Sequence, residues 1–269
     1  MSPRNKQFKD FRTDRAEPRR EAADKGDWIY GRRPVLEVVK SSKRHLYEAV
    51  LPLEGHDAPE VAELRGLLLA RGVPFRTLGR DELDALCDGG NHQGVAVRTG
   101  GFPYISLDQV IHDVKEDPNA LVLILDHIED PQNVGSILRT ADAAGVTAVL
   151  LPEDRAAGVT PAAVRASAGA AEHMRVAKVV NLVRAMQELK ECGVWITGLD
   201  MGADAKTYTS LDFKGRVVLV IGSEGKGLSR LVRETCDFVA CLPMKGRVDS
   251  LNAGVAGAIA LYEIVRQRG

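Results

Sequence analysis

The second half of the chain alternates between short apolar runs and longer segments with helical periodicity. Five of these runs predict strands, at residues 121–125, 148–151, 194–198, 217–221 and 238–242. The first run is apolar at every position, which is typical of a central parallel strand that is covered on both faces. Strands that alternate with helices in this way predict an α/β fold with a doubly wound parallel sheet.

The helices between these runs have recognisable starts and ends. One helix begins near Val134 and stops before Gly145, and another begins at Pro161 and extends to about Ala171. The predicted N-caps of four helices are Asn133, Thr160, Asn181 and Ser250. The last helix, residues 251–268, places five apolar side chains on one face, where they can pack in a core or an interface: Leu251, Val255, Ile259, Tyr262 and Val265.

Residues 1–27 form a basic tail. Its first 20 residues carry seven Lys or Arg against three acidic residues. Large apolar residues are too few there to offset the entropy of ordering the chain, which predicts disorder. The tail is either a solvated extension or an arm that attracts RNA.

Residues 28–99 predict a smaller α/β unit, which precedes the alternating region. Its predicted strands are residues 47–51, 74–78 and 94–97. Residues 100–118 contain two adjacent glycines and two prolines, which indicates a linker, with room for one short helix near 107–114. Residues 119–269 then form the unit with the parallel sheet, and the two units are expected to fold separately.

Charge and cysteine usage set limits on the function. The 36 basic and 37 acidic residues give a net charge of −1, so any RNA contact must come from local patches. The four cysteines lack zinc-site spacing, which predicts reduced thiols. No apolar run approaches the roughly 18 residues of a membrane helix, and the start has no apolar signal core. These features predict a cytoplasmic protein with no membrane partner.

Two segments rich in glycine and asparagine carry the candidate chemistry. They are residues 130–141 (DPQNVGSILRTA) and 221–227 (IGSEGKG), and two shorter motifs follow at 242–244 (LPM) and 250–252 (SLN). Each of the two longer segments follows an apolar run, which places it at the carboxyl end of a predicted parallel strand. Open α/β sheets bind their ligands at that edge.

The segment 222–227 fits none of three common glycine motifs. Leu228 stands where a P-loop needs its phosphate-binding lysine, and Ile221 stands where a hydrolase elbow needs glycine. The Rossmann spacing is absent as well. Three glycines around one carboxylate that we expect to be buried, Glu224, indicate a loop whose backbone can approach a flat ligand closely. A plain tight turn is the alternative.

The polar residues near these motifs have a structural and a chemical interpretation. Asn133 and Ser250 are ordinary helix caps or parts of a pocket. Arg139 is a surface arginine, or it reaches a phosphate or a developing oxyanion. A third cluster follows the first strand, but no other strand end offers matching His or Cys ligands, so we expect no metal site there: Asp126, His127, Glu129 and Asp130.

Taken together, these blocks resemble the SpoU/TrmH branch of the SPOUT superfamily, the knotted RNA ribose 2′-O-methyltransferases. The resemblance implies a trefoil-knotted parallel-sheet SPOUT domain over residues 119–269, which binds S-adenosyl-L-methionine without a metal. The positions that match the cofactor loops of the family are Thr197, Gly198, Gly222, Glu224, Gly227, Leu242, Met244 and Leu251. The positions that match those associated with catalysis and substrate handling are Asn133, Arg139, Glu224, Ser250 and Asn252.

One departure from the family pattern lies at the start of the last helix. The family often reads Ser-Leu-Asn-Val-Ser-Val-Ala, whereas Ala253 and Gly254 follow Asn252 in this chain. This chain therefore has no hydroxyl at the position of the second serine.

The N-terminal unit resembles the L30e-like RNA-binding domain of the two-domain members of the family. The resemblance lies in residues 30–36 (YGRRPVL) and 91–96 (NHQGVA). Those members typically methylate a guanosine ribose in 23S ribosomal RNA, whereas relatives that act on transfer RNA usually lack this domain. The resemblance therefore implies 23S ribosomal RNA as the partner, with transfer RNA as the alternative. It also implies a homodimer with the active site at the subunit interface.

In this family, the position of Arg139 is the favoured candidate for the general base that removes the proton of the ribose 2′-hydroxyl. Guanidinium groups stay protonated in proteins, so we expect Arg139 to fix the adjacent phosphate and to stabilise the emerging 2′-oxyanion. A substrate phosphate or water then takes the proton. A non-catalytic RNA- or ribosome-binding factor is the alternative, although binding alone would not require Asn133, Arg139, Glu224 and Asn252. A generic nucleotide-binding enzyme is disfavoured, because residues 222–227 match neither the P-loop nor the Rossmann phosphate-binding motif.

Overall fold

The computed structural model describes residues 26–53, 58–247 and 250–269. The predicted basic tail, residues 1–27, lies almost entirely outside the described residues and stays a prediction. Within the described ranges, no helix is both long enough and apolar enough to cross a membrane.

The smaller unit is built on a four-stranded mixed sheet. Its elements are β1 (Asp27–Tyr30), α1 (Arg32–Ser41), β2 (Leu46–Val50), α2 (Pro59–Ala70), β3 (Phe75–Arg76), α3 (Arg80–Leu86) and β4 (Ala96–Thr99). The strand order is β1-β4-β2-β3, in which β4 is antiparallel to β1 and β2 while β3 is parallel to β2. The three predicted strands are present with shifted ends. Strand β1 was missed because only Ile29 of its four residues is buried.

The segment between the two units contains α4 (Leu107–Glu116), close to the short helix that the sequence predicts near 107–114. Ser106 and Gln109 form a capping box at its start: the Gln109 N–H donates to Ser106 Oγ at 3.3 Å, and the Ser106 N–H donates to Gln109 Oε1 at 3.0 Å. Val110 and Val114 are fully buried beneath the larger sheet. Residues 107–116 therefore belong to the packed larger unit.

The larger unit is built on a seven-stranded sheet. Its elements are β5 (Leu121–Asp126), α5 (Pro131–Ala143), β6 (Ala148–Pro152), α6 (Pro161–Ala166), a 3-10 turn (Ala170–Glu172), β7 (Val176–Val179), α7 (Leu182–Lys190), β8 (Trp195–Leu199), β9 (Lys206–Thr207), a second 3-10 turn (Tyr208–Ser210), β10 (Val217–Gly222), α8 (Arg230–Thr235), β11 (Phe238–Cys241) and α9 (Ala253–Arg268). The order β7-β6-β5-β10-β8-β11-β9 is parallel throughout.

All five strands predicted in this unit are present, and the sheet is parallel as predicted. Strands β7 and β9 were missed. Strand β7 has only four residues and Lys178 interrupts its apolar run, while β9 has only two residues, Lys206 and Thr207. The interrupted run of β7 and the two residues of β9 therefore show no apolar strand pattern.

Alternate side chains of β5 enter two different cores, as the strand period requires. Leu121, Leu123 and Leu125 pack in the core that includes α5 and α9. Val122 and Ile124 pack in the other core, with α4 and α7. Helices therefore cover both faces of the sheet, as predicted for a doubly wound fold.

The structure corrects two of the four predicted helix caps. Thr160 and Asn181 are N-caps as predicted. The N-cap of α5 is Asp130 rather than Asn133, because Pro131 fits the first helical position and Asp130 Oδ1 accepts the Gln132 N–H at 2.9 Å. The N-cap of α9 is Asn252 rather than Ser250. The helix that starts at Pro161 ends at Ala166, five residues earlier than expected, and a 3-10 turn follows.

A buried ion pair joins the two units. Arg44 follows α1, and Glu172 ends the first 3-10 turn of the larger unit. Arg44 Nη2 lies 2.6 Å from Glu172 Oε1, and Arg44 Nε lies 3.0 Å from Oε2. Their side chains are only 1% and 0% exposed. Arg44 Nη1 also donates to the Gly100 carbonyl, and Glu37 pairs with His173 at 2.8 Å nearby. These contacts connect the two units directly, and their separate folding stays a prediction.

Candidate active site

The strand order brings three loops together at one edge of the sheet. Strand β10 lies next to β8, and β8 lies next to β11. The loops that follow these strands enclose a cleft of about 500 Å³. After β11 the chain returns across this edge, and α9 packs against α5 and β10. Seven predicted site residues line the cleft: Gly222, Glu224, Gly227, Leu242, Met244, Ser250 and Leu251.

The loop 223–227 folds back on itself after β10. The Ser223 N–H donates to the Gly227 carbonyl at 3.1 Å, and the Gly227 N–H donates to the Ser223 carbonyl at 3.0 Å. Gly225 and Gly227 have φ angles of 77° and 65°, which favour glycine. A Cβ on Gly222 would lie 2.3 Å from the carbonyl carbon of Gly227. These glycines therefore keep the loop tightly closed beside the cleft.

The Glu224 carboxylate joins this loop to two helices. Its Oε1 accepts hydrogen bonds from Asn133 Nδ2 at 3.1 Å, from the Ala253 N–H at 3.2 Å, and from Asn252 Nδ2. Glu224 is nevertheless exposed, so the expectation of a buried carboxylate is wrong. The loop projects from the sheet edge, where hydrogen bonds satisfy one carboxylate oxygen without covering the side chain.

Asn252 links the network to the start of α9. Its Oδ1 accepts the N–H groups of Gly254 and Val255 at 2.9 and 3.2 Å, as an N-cap does. Its Nδ2 donates to Asn133 Oδ1 at 2.8 Å as well as to Glu224. Asn133 lies 91 residues before Glu224 and 119 residues before Asn252, and the three side chains thus form one polar network.

Arg139 lies outside this network and outside the cleft. It is exposed on α5, and six residues of helix after Asn133 turn it to another side, about 1.7 turns further on. Within the described part of the chain, no hydrogen bond or ion pair engages its guanidinium. The expectation that Arg139 reaches the reacting group is therefore not met by the site of the same chain.

Thr197 and Gly198 also lie outside the cleft. Both are buried within β8, and a Cβ on Gly198 would lie 2.5 Å from Leu228 Cδ1 and 2.8 Å from Cys236 Sγ. Gly198 therefore allows close packing beneath the sheet edge. The residues of this strand and loop that line the cleft are Leu199, Asp200 and Met201. No sequence motif marked Asp200 or Met201.

The polar cluster after β5 faces a second cleft, of about 420 Å³, on the other side of the glycine loop. Asp126 is 1% exposed. Its Oδ2 accepts the Ser229 N–H at 2.6 Å, and its Oδ1 contacts His127 Nδ1 at 2.5 Å. Asp126 thus ties β5 to the start of α8. Among the described residues, no group of three or more His, Cys, Asp or Glu is arranged to hold a metal.

The departure from the family pattern has a visible packing role. A Cβ on Gly254 would lie 3.1 Å from Ser136 Oγ of α5 and 3.1 Å from Asn252 Oδ1. Gly254 is buried, and α5 and α9 contact each other along this side. The small residue therefore lets the two helices approach where the network is assembled.

The chain is thus a two-unit α/β protein whose larger unit has its cleft among crossing loops at the carboxyl edge of a parallel sheet. The SpoU rRNA methylase family matches residues 120–262. The RNA 2′-O ribose methyltransferase substrate-binding family matches residues 28–104. The chain belongs to the SpoU family of RNA methyltransferases.

Relatives and solved structures agree with this membership. YacO of Bacillus subtilis, named as a TrmH family tRNA/rRNA methyltransferase, is 41% identical over 90% of this chain and 96% of its own length. The 23S rRNA (guanosine-2′-O-)-methyltransferase RlmB of Xylella fastidiosa is 39% identical over 91% of this chain and 98% of its own. The SpoU methyltransferase AviRb from Streptomyces viridochromogenes, in complex with AdoMet, superimposes with a TM-score of 0.74 at 26% identity, covering 90% of each chain. The predicted fold class is confirmed.

Proposed function

We propose that this protein transfers a methyl group from S-adenosyl-L-methionine to a ribose 2′-hydroxyl of RNA. The observation that supports this most directly is the network of Asn133, Glu224 and Asn252 beside the cleft. It assembles residues from three separate motifs at the edge where α/β sheets bind ligands. The AdoMet-bound AviRb structure has the same fold.

The cleft has the chemistry that this cofactor needs. Leu242 and Leu251 line it and offer an apolar surface to a flat base. Asp200 and Glu224 line it as well and complement the positive charge of a sulfonium and an amino group. The cofactor supplies a methyl group on a positively charged sulfur. We propose that binding needs no metal.

The residues of the chain then have distinct tasks in the reaction. The network around Glu224 fixes the glycine loop relative to α5 and α9, which keeps the cleft in one shape. A ribose hydroxyl is a poor nucleophile and must lose its proton on reaction. Arg139 stays protonated and is proposed to bind the adjacent phosphate and the developing 2′-oxyanion. The proton leaves through a substrate phosphate or water.

A homodimer would explain why Arg139 lies outside the cleft of its own chain. The apolar face predicted for the last helix is exposed rather than buried: Val255 and Tyr262 are 49% and 53% exposed, and Ile259 and Val265 lie on the same side. Such a stripe is typical of an interaction surface. We propose that two copies pair along α9, and that the partner subunit's Arg139 serves each cleft.

We propose a guanosine ribose of 23S ribosomal RNA as the substrate. The 39% identity to RlmB of Xylella fastidiosa supports this, and so does the substrate-binding match over residues 28–104. Transfer RNA is the alternative, because YacO is named for both RNA classes. Mapping ribose methylation across ribosomal and transfer RNA, with and without this protein, decides between them. Methylation of neither RNA would favour a non-catalytic binding factor.

Cofactor binding is tested by calorimetry with S-adenosyl-L-methionine before and after treatment with a chelator. We expect binding in both cases. Failure to bind would contradict the proposed activity, and loss of binding after chelation would contradict the metal-free site.

The shared site is tested by mixing two inactive variants. Arg139→Ala should lower single-turnover methyl transfer by about 100-fold, the typical loss for one oxyanion donor, and Arg139→Lys should recover only part. The second variant, Glu224→Ala, keeps Arg139 but has a disabled cleft. If each cleft uses the Arg139 of the partner subunit, mixed dimers contain one intact site, and random mixing should restore roughly a quarter of wild-type activity. No recovery after verified subunit exchange would place Arg139 in its own subunit's site.

A further inference from the structure

The loop between β8 and β9 forms one wall of the cleft, and it is attached to α8 through one arginine. Leu199, Asp200 and Met201 line the cleft from this loop. On its far side, Arg233 Nε lies 3.3 Å from Asp200 Oδ2, and Arg233 Nη2 lies 2.5 Å from Asp204 Oδ1. One guanidinium thus contacts both ends of the loop.

Asp200 is held from several directions. Its N–H donates to the Ala240 carbonyl of β11 at 3.0 Å, and its Oδ1 accepts the Met201 N–H at 2.7 Å. A Cβ on Gly227 would lie 2.7 Å from Asp200 Oδ1, so this carboxylate also abuts the glycine loop. The Asp200 side chain is only 18% exposed. Moving Asp200 would therefore disturb two walls of the cleft at once.

We propose that Arg233 is a positioning residue for the cofactor cleft, which sets the loop 199–204 against the glycine loop through Asp200 and Asp204. This inference rests on the proposed binding of S-adenosyl-L-methionine in that cleft. Arg233 itself does not line the cleft, so it acts through the two carboxylates that it contacts.

The chemistry of the contact requires an arginine. The planar guanidinium presents several N–H donors in a fixed fork and can contact two carboxylates at once, whereas a lysine ammonium is a single point charge. The hydrogen bond from Arg233 lowers the pKa of Asp204, and the hydrogen bond to Asp204 raises the pKa of Arg233. A Cβ on Gly202 would lie 2.8 Å from Arg233 Nη2, so the loop closes tightly around the arginine head group.

The expected effect is on cofactor affinity rather than on the chemical step. Arg233→Ala should weaken binding of S-adenosyl-L-methionine roughly fivefold, as an ion pair near the surface allows. KM for this cofactor should rise by a similar factor. The value of kcat at saturating cofactor and KM for RNA should stay within about twofold, because the bound cleft regains its shape. Asp204→Asn should give a smaller change in the same direction.

Arg230→Ala is the matched control. Arg230 lies one turn earlier on α8, and its guanidinium pairs with Glu234 at 2.8 Å, whereas that of Arg233 contacts Asp200 and Asp204. It should leave cofactor affinity unchanged. Arg233→Lys should recover part of the affinity by restoring charge without the fork.

Calorimetry with S-adenosyl-L-methionine and steady-state kinetics on the full chain separate the outcomes. If the wild type does not bind the cofactor, the proposed function fails. If the wild type binds and Arg233→Ala binds equally well, the positioning role is overturned. If Arg233→Ala does not fold, the Arg233→Lys and Asp204→Asn variants test the positioning role instead. Unchanged cofactor affinity in both of these variants overturns that role as well. A fall in kcat without a change in cofactor KM also contradicts the proposal.

Discussion

The ion pair between the two units and the network beside the cleft use similar groups in different surroundings. Each joins segments that are about 90 or more residues apart, with a carboxylate at the centre. Glu172 accepts both arms of the Arg44 guanidinium and is 0% exposed on its side chain. Glu224 accepts three N–H donors through one oxygen and is exposed.

The difference in burial separates a structural role from a functional one. A buried carboxylate must keep its partner, because an unpaired charge in the interior is strongly destabilising. Glu172 is therefore suited to fixing the orientation of the two units, and no ligand can reach it. Glu224 remains accessible and lines the cleft. Similar hydrogen-bond chemistry thus fixes a fold in one place and shapes a binding loop in the other.

The largest effect should come from breaking the buried pair. Arg44→Met leaves Glu172 without a counter-charge and should lower the free energy of unfolding by about 3–5 kcal/mol. Adding Glu172→Met should recover much of this loss, because a buried pair can often be replaced by apolar residues. Urea unfolding measures both variants.

The control for that experiment is Arg184→Met, which removes the exposed pair with Glu188 on α7. It should change stability by less than about 0.5 kcal/mol. Equal losses for Arg44→Met and Arg184→Met would show that the buried pair does not fix the two units. Removal of residues 28–99 would remove Arg44 and leave the buried Glu172 carboxylate without its partner, so we expect such a fragment to be destabilised.

The next effect should come from the exposed network. Glu224→Ala removes the acceptor for three N–H groups and should weaken S-adenosyl-L-methionine binding by roughly 10- to 100-fold, within the range for charged hydrogen bonds. Glu224→Gln keeps an acceptor oxygen and should retain binding within about tenfold. Thermal stability should change little in either variant, because the side chain is exposed. Calorimetry and thermal unfolding on the same samples test this contrast. A Gln variant that binds the cofactor as weakly as the Ala variant would show that binding depends on the negative charge of Glu224 rather than on an acceptor oxygen.

The sequence predicts the architecture better than it predicts the site. Apolar runs identified five strands of the large sheet, and three of these are buried at every position: Leu121–Asp126, Ala148–Pro152 and Val217–Gly222. Short strands such as Lys206–Thr207 have no period to detect. Burial also cannot be inferred from composition alone. Glu224 is predicted to be buried but is exposed, because its partners on α5 and α9 satisfy one carboxylate oxygen without covering the side chain.

Sequence motifs predicted some of the candidate site residues. Residues that only tertiary packing places at the cleft were missed. The motifs located Asn133, Glu224 and Asn252, which the fold brings together. Asp200 carries no local signal, since its position in the cleft depends on β11 and α8. For the apolar stripe of α9, the sequence showed the pattern but not its surroundings. Its helical spacing was visible, but spacing alone could not show whether the stripe faces a core or solvent.

We expect the smallest effect for Glu263 of α9, because its partner Arg266 is 69% exposed and solvent screens the pair. Hydrogen bonds from Arg266 and then Gln267, at 2.8 Å each, lower the pKa of Glu263 to about 2 from its ordinary value of 4.5. Because the folded pKa is lowered, Glu263 contributes stability above pH 4.5, and this contribution is lost as the pH falls towards 2. Glu263→Gln should therefore lower stability at neutral pH, and its difference from the wild type should shrink between pH 4.5 and 2. Urea unfolding across that range measures the difference, with Glu234→Gln on α8 as a second helix-pair variant. A difference between wild type and Glu263→Gln that stays constant with pH would show that the contacts of Glu263, rather than its charge, stabilise the end of α9.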